Sequence, residues 1–322
     1  MDAALHIGEP WMWAAFVGFV LVMLAVDLFL VGGNKAHKVS FKEAATWSFV
    51  WFALAMLFNL GLWWHLKGEY GAVVAEAKAM EFLTGYLIEK ALAVDNIFVF
   101  LMIFSFFAVP AEYQRRVLIY GVIGAIVMRA VMILAGAWLV TEFHWILYLF
   151  GAFLVFTGVK MLMAAEAEPD LGRNPALVWA KRHLRMTPDY RGEKFWVMEN
   201  GVRVFTPLFL VLVMIELSDL IFAVDSIPAI FAITTDPFIV FTSNIFAILG
   251  LRAMYFMLAG MADRFHLLKY GLALVLVFVG AKMLAADFYK IPVGLSLGIV
   301  GLIIVTFMFA SLWVTRKPPA PR

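Results

Sequence analysis

The sequence predicts an all-α polytopic membrane protein of about nine transmembrane helices, with an inverted repeat of three helices in spans 3–5 and 6–8. Three observations carry this. First, 64% of the 322 residues are hydrophobic and 15% charged, with a mean hydropathy of +0.93, whereas soluble domains carry about 25% charged and 45–50% apolar residues. Second, apolar runs long enough to cross about 30 Å of hydrocarbon recur along the whole chain. Third, the segments on either side of a polar midpoint resemble each other in order and spacing.

The first run, 11 to 31, follows only Asp2, His6 and Glu9. A cleavable signal peptide needs a basic leader, so this run reads as a retained span. The others cover 44–66, 82–108, 117–140, 145–165, 205–233, 238–260, 267–286 and 292–314, within one membrane domain, 1–322. Spans one and two occupy 1–81, the first repeat 82–165, a linker 166–203, the second repeat 204–290, and the last span with its tail 291–322. Counting Lys and Arg in the connections, one side collects Lys35, Lys38, Lys42, Arg115, Arg116, Arg264, Arg316, Lys317 and Arg322. The other has only Lys67, Lys78 and Lys290. The positive-inside rule then places the N-terminus outside and the linker and C-terminus in the cytoplasm. In the linker, Ala176 to Met186 suits either a basic helix lying on anionic lipid or a solvated loop. Asn200-Gly201, flanked by apolar residues, predicts a β-hairpin over Phe195 to Phe205.

The repeat pairs Glu89-Lys-Ala-Leu-Ala-Val-Asp95 with Asp219-Leu-Ile-Phe-Ala-Val-Asp225, and Met128-Arg129-Ala130 with Leu251-Arg252-Ala253. It also pairs Tyr148 and Gly158-Val-Lys160 with Tyr270 and Gly280-Ala-Lys282. Each copy holds three spans, an odd number, so the second is inverted. That is the construction of many secondary transporters, whose site lies near the midplane between the repeats.

The spans contain the acids Asp27, Glu89, Asp95, Glu216, Asp219 and Asp225 and the bases Lys90, Arg129, Lys160, Arg252 and Lys282. A lone charge at the bilayer centre costs about 2.5–3.5 kcal/mol, so these groups are paired or line a polar cavity. Charge compensation is the reading for Arg129, Arg252, Lys160 and Lys282, the two lysines lying close enough to span ends to snorkel. The acids crowd into two equivalent segments, where a metal site is the reading. Asp27 stands apart, near a span end.

On a straight helix Glu89 and Asp95 point about 120° apart, while Asn96 returns to within about 20° of Glu89. Either the acids serve different partners or the helix breaks. Pro228 favours a break in span six, which would bare carbonyls beside Asp225 and Ser226. Asn59, Thr242, Ser243 and Asn244 are further polar candidates, each as readily an interhelical hydrogen-bonding residue. Carboxylate, amide and hydroxyl oxygens suit Mg, Ca and Mn. All six histidines lie at span ends or in loops and there is no cysteine, which argues against a midplane zinc or copper site. A net charge of +2 gives no ground for a nucleic-acid partner, and no nucleophile–base arrangement suggests an enzyme.

The segments Phe82 to Asn96, Glu216 to Ile230 and Thr242 to Tyr255 resemble the TerC family of bacterial membrane proteins, most closely its Alx-type members. The resemblance implies an inner-membrane exporter of manganese. The expected site is Glu89, Asp95, Glu216, Asp219 and Asp225, helped by Asn96, Ser226 and Asn244. The expected function is secondary export of a divalent cation, with protons as the candidate exchanged ion, Mn2+ as cargo and no permanently bound cofactor. The alternative is a membrane scaffold that docks partner proteins and assists metal loading of exported ones.

Overall fold

The computed structural model describes residues 7–26, 40–143, 145–163, 178, 182–259, 267–285, 288–289 and 291–315; the side chains of Val94, Asp95, Phe98, Asp225, Val293 and Thr315 lie outside that description. Asp27 and, within Ala176 to Met186, residues 176, 177 and 179–181 also fall outside it, so neither expectation is placed. The helices are α1 (Pro10–Val26), α2 (Phe41–Tyr70), α3 (Ala72–Phe106), α4 (Ala111–Glu142) and α5 (Ile146–Met163). After them come α6 (Pro207–Phe231), α7 (Pro237–Leu249), α8 (Leu251–Leu258), α9 (Leu268–Leu284) and α10 (Val293–Thr315). The protein is an all-α polytopic membrane protein. Six of its described spans are each long and apolar enough to cross a bilayer, α7 and α8 together forming one of them. The 35 residues of α3 reach about 52 Å at 1.5 Å per residue, well beyond the hydrocarbon. Of its charged residues, Glu89, Lys90 and Asp95 lie close together toward its middle.

Between α5 and α6, Trp196–Glu199 (β1) and Val202–Phe205 (β2) form an antiparallel hairpin. Asn200 and Gly201 take positive φ of 50° and 76°, the pair of values that a two-residue type I′ turn requires. The hairpin segment is latched to the α3–α4 turn. The Tyr190 hydroxyl donates to the Phe107 carbonyl at 2.7 Å, and Arg116 pairs with Glu193 at 3.6 Å. This end of the bundle is called the hairpin side. At the opposite end, the buried Ile7 N–H donates to Asp236 Oδ2 at 3.0 Å. Lys78 bridges Asp236 and Glu81 at 3.5 and 3.0 Å, and the Thr234 hydroxyl donates to Glu81 at 2.6 Å. These contacts strap the N-terminal segment across the mouth between α3, α6 and α7.

The repeats pack on one another as a two-fold would arrange them. The contact of α3 with α7 is matched by that of α6 with α4, and α5 lies along α9. A methyl added at Gly280 would meet the Gly151 carbonyl oxygen at 2.6 Å, and one at Gly158 the Ala273 carbonyl oxygen at 2.7 Å. Position 151 corresponds to 273 and 158 to 280, so the two close approaches are copies of each other across an antiparallel seam. Small residues let helix backbones come this near in a membrane. Every residue of α7 after Pro237 is buried, while among the described side chains of α10 only Ser296, Val300 and Ser311 are; α7 is therefore central and α10 peripheral.

One expectation is corrected. Helix α6 runs unbroken through Pro228 to Phe231, and α3 is continuous past Glu89 and Asp95. Proline removes a single N–H, the donor to Val224, and helix packing within a membrane tolerates that loss. The interruption falls instead in span seven, at Gly250 between α7 and α8.

Candidate functional site

Helix continuity decides which side chains meet. Residues seven apart share a face, so α3 offers Glu89 and Asn96 together, and α6 offers Asp219 and Ser226 together. Between these faces lies Arg129 of α4, 1% exposed. Its Nη1 bonds Glu89 Oε1, and also donates to Ser226 Oγ at 3.0 Å and to Asn244 Oδ1 at 3.4 Å. Its Nη2 and Nε reach the two Asp219 oxygens at 3.2 and 3.4 Å. Asn96 Nδ2 donates to Asp219 Oδ1 at 3.3 Å, and Asn244 Nδ2 to Glu89 Oε2 at 3.1 Å. One guanidinium thus holds the two acids that the repeat makes equivalent, and the two polar residues Asn96 and Ser226, equivalent in the same way, complete the ring.

Five of the eight expected ligands, Glu89, Asn96, Asp219, Ser226 and Asn244, belong to this network. Glu216 lies one turn before Asp219, half-buried, with Oε2 lacking a hydrogen-bond partner. Its carboxylate rests against Gly124 of α4, where any Cβ would collide with it. The side chains of Asp95 and Asp225 lie outside the described residues. Among the described residues no three acids or histidines converge as a metal cage. Thr242 and Ser243 bond back to carbonyls of their own helix, and Asn59 Oδ1 is unpaired on α2. Of the four bases, Lys160 is exposed at the end of α5 and Lys282 half-buried at the end of α9, and Arg252 borders small cavities toward the hairpin side.

Sequence reasoning missed Gly124, Gly250 and the place of Lys90. The Lys90 ammonium donates to the Ala247 carbonyl at 3.0 Å and sits 5.7 Å from the Tyr86 ring. It presses on Gly250, where a Cβ would displace it. The carbonyl that the Gly250 interruption releases is therefore capped by a lysine. The nearest sequence signal was Lys90 standing beside Glu89 without a counterpart at Leu220.

The description "Integral membrane protein TerC family" matches residues 74–318. The chain belongs to the TerC family. It is 59% identical over 312 residues to the protein of Escherichia coli (strain K12) named "Putative membrane-bound redox modulator Alx", covering 97% of each chain. The Salmonella typhi protein of the same name is 57% identical over 311 residues, again covering 97% of both. A membrane protein of Myxococcus xanthus is 49% identical over 319 residues, 99% of this chain and 97% of that one. No solved structure matches.

Proposed function

We propose that this TerC-family chain is a secondary transporter that exports a divalent cation, Mn2+, from the cytoplasm in exchange for protons. The carrying observation is the buried Glu89–Asp219 pair shared by the single guanidinium of Arg129. A pair kept for stability alone would be neutral; here two acids face one arginine, and Glu216 adds a third carboxylate one turn away. Excess negative charge buried in a helix bundle calls for a further cation. The donors are carboxylate, amide and hydroxyl oxygens, which suit Mg, Ca and Mn. The choice of Mn2+ rests on the family resemblance.

Two inverted copies packed around this network fit a carrier whose site lies between them. Carboxylates that release a metal can take protons in its place, which supports exchange. With Lys and Arg concentrated on the hairpin side, that side faces the cytoplasm and the strap side faces out. The 322 residues contain no cysteine, so a redox role suggested by the relatives' name would have no thiol in this chain to act through.

The test is metal movement in liposomes containing only the purified protein, with Mn2+, Mg2+ and Ca2+ offered separately under an imposed pH gradient. Mn2+ flux that follows the gradient supports the reading. Absence of flux for every ion, with the protein folded, would favour the scaffold.

A further inference from the structure

The repeats are alike in sequence, yet their matching arginines do different things. Arg129 holds Glu89 and Asp219 together. Arg252 borders two small cavities that lead from the hairpin side toward the network. The outer cavity, about 20 Å³, also touches Glu43, Ala44 and Arg115. The inner one, about 10 Å³, also touches Gly121 and Asp219. A water needs at least about 10–15 Å³, so this path takes single waters and no hydrated ion.

Glu89 and Asp219 exchange places under the two-fold, and so do Arg129 and Arg252. The operation that turns one repeat into the other therefore brings Arg252 to the position that Arg129 fills. Only one guanidinium fits there, because Arg129 already uses three nitrogens on four side chains. Inverted repeats give a carrier two arrangements of comparable energy related by that two-fold. We propose that Arg129 and Arg252 are alternate occupants of the position between Glu89 and Asp219. Arg129 closes the path from the strap side in the conformation described here, and Arg252 closes it from the hairpin side in the inverted one. Because a guanidinium keeps its charge, the two acids always face a cation, whether arginine or cargo, and the unloaded carrier can turn around without baring them. The purpose of this exchange rests on the transporter reading; its test does not.

The cysteine-free chain allows a Trp47→Cys reporter, at a half-buried position on the outer cavity where the lost indole leaves room for a small thiol reagent, labelled in the absence of metal. Arg129→Gln removes the occupant of the present arrangement and drives the chain to the inverted one. Labelling should slow at least tenfold, and Arg129 lies too deep to act on position 47 locally. Arg252→Gln removes the other occupant and should not slow labelling. Arg129→Lys, which keeps a charge but cannot fork, should shift labelling in the same direction as Arg129→Gln and serves if that variant fails to accumulate. Labelling of the Arg129 variants at or above the wild-type rate, or slowing by Arg252→Gln, would overturn the exchange. Slowing by the Arg129 variants alone in a protein that moves no metal would retire the cargo and keep the exchange; metal flux with slowing by Arg252→Gln as well would do the reverse.

Discussion

The Glu89–Asn244 contact allows the network to be tested by a swap. In Glu89→Gln one carboxylate oxygen becomes an amide NH2. If its remaining oxygen keeps Arg129, the new amide faces the Asn244 amide donor across a 3.1 Å contact. Turning Asn244 over only moves the clash, because its oxygen already accepts from Arg129. Arg129 keeps Asp219 in either case, so no charge is left bare. The cost is that of one unsatisfied buried donor, about 1–3 kcal/mol. Asn244→Asp alone sets a carboxylate against Glu89 and should cost about 3–5 kcal/mol, the range for an uncompensated buried charge. Together the two changes restore a donor facing an acceptor and the original charge. The double variant should recover at least about 1 kcal/mol relative to the sum of the singles. Thermal unfolding of the purified variants in detergent measures this, and additivity within about 0.3–0.5 kcal/mol would refute the contact. Transport in liposomes should fall steeply in Glu89→Gln.

Asp95→Asn and Asp225→Asn should accumulate normally and lose metal export, while Lys160→Gln and Lys282→Gln retain it; export assayed beside membrane abundance decides, and wild-type export by both aspartate variants would remove the core of the transporter reading. Gly124→Ala should displace Glu216, destabilising the protein by about 1–3 kcal/mol as overpacked sites do, and Glu216→Ala in the same chain should restore thermal stability. Cysteines placed at Asp189 and Ala320 should resist membrane-impermeant thiol reagents in intact cells, and labelling of either would reverse the proposed orientation.

The bundle was legible in the sequence because length and apolarity decide it, and the hairpin because Asn-Gly favours the φ values its turn needs. The grouping of Glu89 with Asn96 followed from helical spacing alone. The fate of Pro228 did not, since the cost of its lost bond is small and neighbouring helices decide whether the helix continues. Arg129 read as charge compensation because sequence shows that a base lies in the same repeat as the acids, not that both copies' acids turn toward one of the two arginines. Gly124 and Gly250 were invisible for a similar reason. What matters at each is a side chain brought there by another helix.

The seam between α5 and α9 has a mechanical consequence. The approaches at Gly151–Gly280 and Gly158–Ala273 are related by the two-fold, so its axis must pass between them. When two rigid bodies rock while staying in contact, the contact is where displacement is least. Backbones already this close can slide little, and a single methyl would wedge them. The seam is thus fitted to act as the fulcrum, with displacement growing toward the far ends of α3, α4 and α6.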